Sequence, residues 1–235
     1  LHGDYRAFEC SIRSSNMGLQ PATMCFNRLP VRTQGVMMAT AARSSVNSST
    51  EHYEWGLALM SSLAVSGIVK KVIALATLSM AVVVTLEMAF GYGATTPIAI
   101  AVQWTSMIAA YIMGLFWLFG PWPTLTEAFA FVVIANIAIF GATFVADFPP
   151  EITLAKTAFF IEIGMFVGFF FERWMLAFHI VFCIAATTFI AAYVVVFEDV
   201  AVLQAVVVWS PVVVSIGGFV LLLHFAARSM RLEFE

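Results

Sequence analysis

Six apolar runs follow one another between residues 72 and 226, and they constrain the fold of this chain more than any other feature. A helix needs roughly 20 mainly apolar residues to cross a bilayer, and each run approaches or exceeds that length. Hydrophobic residues make up 62% of the chain and charged residues only 11%, a balance that excludes a water-soluble domain. The sequence therefore predicts an all-α, polytopic membrane helix bundle with transmembrane helices at 72–93, 97–119, 127–147, 151–171, 174–197 and 200–226.

Turn-forming residues mark the breaks between the first four runs. Glycine and proline interrupt the helical pattern at 91–97, 120–123 and 147–150. Thr124 and Glu127 stand at capping-box spacing, which predicts that the third span begins beside them. The last two breaks are marked by charged residues alone.

The N-terminal part of the chain has a different composition. Residues 1–50 are rich in arginine and serine, with no acidic residue between Glu9 and Glu51. This composition is typical of an organellar presequence, but we expect the segment to be retained as an extended arm that a partner orders. The following residues, 51–71, predict an interfacial amphipathic helix. The membrane domain then covers 72–226, and a polar tail covers 227–235.

The few charges in the connections are segregated by side. Basic residues gather on the side of the N-terminal arm, at Lys70, Lys71, Arg173, Arg228 and Arg231. Acidic residues gather on the other side, at Asp147, Glu151, Glu198 and Asp199. Cytoplasmic or matrix loops carry an excess of Lys and Arg, so this pattern predicts six spans with both termini inside.

Seven polar side chains fall within the predicted spans. They are Glu87, Gln103, Asn136, Lys156, Glu162, His179 and Gln204. Polar groups are costly in hydrocarbon and are therefore functional candidates by default. Distances along the chain from each turn predict depth-matched hydrogen-bonded pairs, namely Glu87 with Gln103, Asn136 with Glu162, and Tyr193 with Gln204. Such pairs would be structural, and the alternative is a proton or ion path with Glu162 as its central relay.

Two glycine pairs predict close helix packing, because small residues let helix backbones approach in a membrane. Gly164 and Gly168 form a GxxxG motif, and Gly217-Gly218 is the second thin point. The predicted depths of His179 and His224 in the membrane differ by about 9 Å for straight helices, which is too much for both to bind one haem. We therefore expect no cofactor and no metal ion, only bound lipid.

No phosphate loop, metal-ligand cluster or nucleophile–base arrangement is visible, so we expect no enzymatic activity. The sequence favours a non-catalytic, structural subunit of a large energy-transducing complex, such as a respiratory-chain complex or ATP synthase. Its partners would be other membrane subunits and lipid, with no nucleic acid. The expected location is the mitochondrial inner membrane, with both termini in the matrix, and a plastid membrane is the alternative. The alternative function is a proton- or ion-conducting subunit, or a small transporter, that uses Glu162 and Glu87.

Overall fold

A computed structural model describes residues 49–234 of the chain, and within that range every regular element is a helix. Six of the helical segments are long and apolar enough to cross a membrane, which confirms the predicted helical membrane bundle. The predicted arm at 1–50 lies almost entirely outside the described residues. In chain order the helices are α1 (49–62), α2 (Ser66–Ala89), α3 (Pro97–Phe119), α4 (Leu125–Val145), α5 (Pro150–Lys156), α6 (Phe159–Phe170), α7 (Arg173–Phe197) and α8 (Val202–Phe234).

The first span begins earlier than the sequence predicts. The predicted interfacial helix ran to residue 71, but the chain turns at 63–65, where Ala64 has a φ of 54°, and α2 starts at Ser66. Lys70 therefore lies inside the spanning helix and donates a hydrogen bond to the carbonyl oxygen of Gly120. A lysine near a helix end can direct its ammonium to the interface in this way. Lys70 and Lys71 consequently lie inside α2, near its start, and do not mark a helix boundary.

Two other boundaries differ from the predicted ones. The fourth span is broken into α5 and α6 at residues 157–158, although the sequence predicted one continuous helix over 151–171. The last helix, α8, continues through the described part of the predicted polar tail. The Thr124–Glu127 capping box is present as predicted, with the Thr124 side chain accepting the Glu127 N–H and the Glu127 carboxylate accepting the Thr124 N–H.

Helix α1 packs along the end of the bundle by its buried face. Tyr53 and Met60 on that face are buried, whereas Glu51 and Glu54 are exposed. The Tyr53 hydroxyl donates a 2.7 Å hydrogen bond to the carbonyl oxygen of Pro123. This amphipathic pattern is the one expected of an interfacial helix. We call the end of the bundle that holds α1 and the connections 120–124 and 171–172 the α1 face.

The opposite face holds the connections 90–96, 146–149 and 198–201. Two of them are joined directly, because the Asp147 N–H donates to the carbonyl oxygen of Tyr92 at 3.2 Å. The rings of Tyr92 and Phe148 stack beside that bond, with centroids 4.9 Å apart and planes 9° apart. The loops after α2 and after α4 are thereby held together at one membrane edge.

Aromatic rings fill the core toward the α1 face. Trp117 is almost fully buried, and its ring meets the rings of Trp122, Phe131 and Phe166 edge-on at 5.6, 5.5 and 5.4 Å. Helix α2 packs on α3, α3 on α4, and α8 on α6 and α7. Edge-to-face pairs hold rings in fixed orientations, so this end of the bundle is tightly specified.

Of the two predicted glycine pairs, Gly164 and Gly168 lie in a close helix contact, whereas Gly217 and Gly218 do not. A Cβ atom added at Gly164 would lie 2.4 Å from Val220 Cγ2, and one added at Gly168 would lie 2.8 Å from the Val220 carbonyl oxygen. The GxxxG motif therefore brings α6 close to α8; the sequence predicted close packing at this motif but not the partner helix. At Gly217 and Gly218 an added Cβ would meet nothing within 4 Å, so these two glycines make no close contact within the described chain.

Candidate functional site

A groove lies between the second half of α2 and the α5–α6 segment, next to the opposite face. Its cavity has a volume of about 560 Å³ and is lined mainly by apolar side chains. Three ionisable side chains of the predicted set, Glu87, Lys156 and Glu162, also line it. The structure thus brings together three polar residues that lie on three different helices.

The end of α2 places one wall of this groove. Gly91 has a φ of 84°, a left-handed conformation that glycine adopts without a steric penalty. The N–H of Tyr92 then bonds back to the Glu87 carbonyl oxygen at 2.9 Å, which closes the helix in a Schellman-type cap. Because the helix stops there, Glu87 stands in its last turn and Tyr92 stands at the mouth of the groove.

The other wall comes from α5, a helix of only seven residues. Pro150 at the first helical position presets the φ angle of the start. At the far end the N–H groups of Thr157 and Ala158 bond three residues back, at 3.1 and 3.0 Å, as in a 3₁₀ turn. Irregular backbone at membrane depth is tolerated where it lines a cavity or is buried in protein. The break directly follows Lys156, the last residue of α5.

Glu87 and Lys156 form a buried ion pair across the groove. The Lys156 ammonium lies 2.9 Å from each carboxylate oxygen of Glu87, and the two side chains are 5% and 9% exposed. The same ammonium lies 4.8 Å from the centre of the Phe148 ring, within the range of a cation–π contact. Both charges of the pair are therefore compensated inside the membrane.

Glu162 has no such compensation. Its Oε2 atom is buried and has no hydrogen-bond partner within the described chain. The side chain also lines a second cavity of about 470 Å³, which lies between the first half of α2 and α6 and extends to Met60 of α1. Along α2 and α6 the first cavity occupies the half near the opposite face, and the second occupies the half near the α1 face. Glu162 therefore lines both cavities, one toward each face.

The predicted depth-matched pairs are wrong. Gln103 Oε1 accepts the N–H of Ala94 at 2.8 Å instead of meeting Glu87. Asn136 Nδ2 lies 3.2 Å from His179 Nδ1, and both residues are fully buried. Gln204 lies in the first turn of α8, where its amide donates to the Glu151 carboxylate. Equal distance from a turn gives two residues the same depth, but the direction around each helix decides which groups meet.

The two histidines considered for haem have protein neighbours of their own. His179 lies in a cluster with Asn136 and Cys183, whose Sγ is 3.7 Å from His179 Nδ1. His224 Nδ1 lies 3.2 Å from the carbonyl oxygen of Gly168. Between residues 49 and 234, no group of three or more His, Cys, Asp or Glu side chains could hold a metal ion.

Sequence reasoning missed two residues that line the groove and one residue in the helix break beside it. Tyr92 was placed at the end of the first predicted span and Phe148 in a turn, although both residues line the groove. Thr157 gave no signal at all, and its hydroxyl donates to the Leu154 carbonyl oxygen at 2.6 Å inside the helix break. The sequence signal that could have found Tyr92 and Phe148 is an aromatic residue in each of the two connections 90–96 and 146–149, whose rings stack in the structure.

Comparison with known proteins gives no family assignment for this chain. No protein family matches it, and neither does any curated protein or solved structure. The site geometry alone carries what can be proposed about its function.

Proposed function

We propose that this membrane protein carries protons or small cations, with Glu162 as the group that binds the carried ion. The observation that carries the proposal is the buried, unpartnered Oε2 of Glu162, a residue that lines both cavities. A bare carboxylate is strongly disfavoured in a low-dielectric interior. Ionisation of Glu162 is therefore costly unless the side chain binds a proton or another cation, and the two cavities that it lines lie toward opposite faces.

The neighbouring ion pair supports the assignment of Glu162, because it shows that the other carboxyl group of the groove already has a partner. Glu87 already has a cationic partner at 2.9 Å, so it has little tendency to take up a second cation. The break between α5 and α6 adds a further feature, because discontinuous helices commonly form the ion sites of membrane transporters. Glu162 follows that break within two helical turns.

Ion flux through reconstituted protein tests the proposal. Purified protein in liposomes with a trapped pH indicator should acidify or alkalise the lumen when a potassium diffusion potential is imposed. Glu162→Gln keeps the size of the side chain but cannot release a proton, so flux should fall to the level of empty liposomes. Glu54→Gln, on the exposed face of α1, is the matched control. Unchanged flux in folded Glu162→Gln protein would remove Glu162 from the path.

A second proposal concerns assembly. We infer that the chain is a membrane subunit of a larger energy-transducing complex in the mitochondrial inner membrane. The supporting observation is α8, in which only 11% of the apolar window is buried, compared with 50% in α4. Gly217 and Gly218 on this helix have open space in front of them, which leaves room for a partner helix at close range.

Native electrophoresis of mitochondrial membranes tests this second proposal. The wild-type chain should migrate with an assembly much larger than its own 25.7 kDa. Gly217→Leu should release it, because the bulky side chain would block the partner helix. Gly67→Leu is the control, since Gly67 also has open space in front of it but lies on α2. Migration of the wild-type chain as a free protein would contradict the assembly role.

A further inference from the structure

We propose that the groove between α2 and α5–α6 binds a lipophilic organic cation, with the Glu162 carboxylate as its counter-ion. This inference rests on the proposed function, because it names a cation that exchanges with the proton at Glu162. It concerns the first cavity, of about 560 Å³, which falls within the size range of small-molecule sites.

The charges that line the groove favour a monovalent cation. Its ionisable side chains are Glu87 from α2, Tyr92 from the following turn, Lys156 from α5 and Glu162 from α6. The Lys156 ammonium meets both oxygens of Glu87 at 2.9 Å, so these two charges cancel. Ionised Glu162 then leaves the groove with one uncompensated negative charge. A positively charged ligand cancels it, whereas an anion is repelled.

The apolar surface of the groove favours an organic cation over a metal ion. Phe90, Tyr92, Phe148 and Phe159 line the cavity together with aliphatic side chains. Aromatic faces attract organic cations, most strongly where water is excluded. Hard metal ions instead require about six oxygen ligands, and no metal-binding group of side chains is present among the described residues. A cation that carries its charge on an apolar body loses little hydration and gains these contacts.

Protons compete with this ligand at Glu162. When the carboxyl is protonated, the groove loses its net negative charge and the cation loses its counter-ion. In the second cavity, Glu162 carries the only ionisable side chain among the described lining residues, so no other group there compensates it. Binding of the cation should therefore weaken as the pH falls and should release a proton when it occurs at low pH.

Calorimetric titration with tetraphenylphosphonium tests the inference. The full chain in phosphatidylcholine nanodiscs should show saturable binding that weakens as the pH is lowered. Glu162→Gln should lower the affinity by roughly tenfold or more, the equivalent of one lost charge contact. Lys156→Gln should raise the affinity, because it leaves Glu87 as a second uncompensated carboxylate. Glu54→Gln is the control and should bind like the wild type.

The outcomes separate this inference from the proposed function. Absence of saturable binding, with Glu162-dependent proton flux intact, overturns the inference and leaves the proposed function standing. Equal binding by wild type and Glu162→Gln overturns the inference as well, since the cation then merely partitions into the groove or the lipid. Glu162-dependent binding without any ion flux overturns the proposed function and supports the binding site alone.

Discussion

Two carboxyl side chains share one membrane groove, and their surroundings give them opposite properties. Glu87 meets the Lys156 ammonium with both oxygens, and the pair is almost fully buried. Glu162 has a buried oxygen without a hydrogen-bond partner in the described chain. The same chemical group is therefore held in an ion pair in one position, whereas in the other, where we propose ion binding, one of its oxygens lacks a hydrogen-bond partner.

Replacement of the ion pair should show a strong coupling between its two members. Lys156→Met leaves the Glu87 carboxylate buried without a partner and should lower the free energy of unfolding by about 3–5 kcal/mol. Glu87→Gln should be costly for the same reason. The double variant removes both charges and should recover most of the loss. Detergent-based unfolding of the purified variants measures these values, and simple addition of the two single effects would show that the pair is not coupled.

The identity of the polar membrane residues could be predicted from the sequence, but their partners could not. Hydropathy alone identifies Glu87, Lys156 and Glu162 as ionisable residues within apolar runs, where they are energetically costly. Pairing depends on the rotation of each helix about its axis and on which helices are neighbours. Neither quantity is encoded in distances from a turn, which is why Asn136 was assigned to Glu162 and in fact meets His179.

At the scale of single helices, the interrupted fourth span is the element that makes the site. Helix α5 has seven residues and α6 has twelve, and neither glycine nor proline stands at the break between them. The break between α5 and α6 therefore could not be predicted from glycine or proline, the usual helix-breaking residues. Helices α3 and α7 have bounds at or within one residue of the predicted spans, because proline or charged residues mark their starts.

The α6–α8 contact makes a prediction about glycine substitutions. Gly164→Ala and Gly168→Ala place a methyl group against Val220, and the second one meets a backbone oxygen that cannot rotate away. Each should lower the free energy of unfolding by about 1–3 kcal/mol through overpacking. Gly217→Ala faces open space and should be neutral or stabilising. Melting temperatures of the three purified variants test this ranking, and an equal effect at all three positions would contradict it.

The docking of α1 predicts a stability change at alkaline pH. Burial raises the pKa of the Tyr53 phenol from 10.0 to about 12, with a smaller contribution from the Glu127 charge and an opposing one from Trp122. Because the folded protein favours the neutral phenol, its stabilisation is complete below pH 10 and is lost as the pH rises toward 12.

A comparison of wild type with Tyr53→Phe isolates this phenol. The difference in tyrosinate absorbance should show a group that ionises near pH 12. Tryptophan fluorescence should change over the same interval in the wild type, because Trp122 Nε1 donates to the Tyr53 hydroxyl at 3.0 Å. A phenol that titrates at its ordinary pKa would mean that α1 does not bury Tyr53.

At the scale of the whole molecule, six spans place two cavities on either side of one carboxyl group. The first cavity lies toward the opposite face and the second toward the α1 face, and both are lined by α2 and α6. Six crossings also put the described ends of α1 and α8 on the same side of the bundle. The central claim is that Glu162, and not Glu87, takes up and releases the proton.

Labelling with dicyclohexylcarbodiimide tests that claim most directly. This apolar reagent enters the bilayer and modifies carboxyl groups only while they hold a proton. Peptide mass spectrometry of labelled native protein should find Glu162 modified, increasingly so as the pH falls, and Glu87 unmodified because its carboxylate oxygens are held by the Lys156 ammonium. Modification of Glu87 with Glu162 left unlabelled at every pH would contradict the assignment of Glu162 as the titrating group.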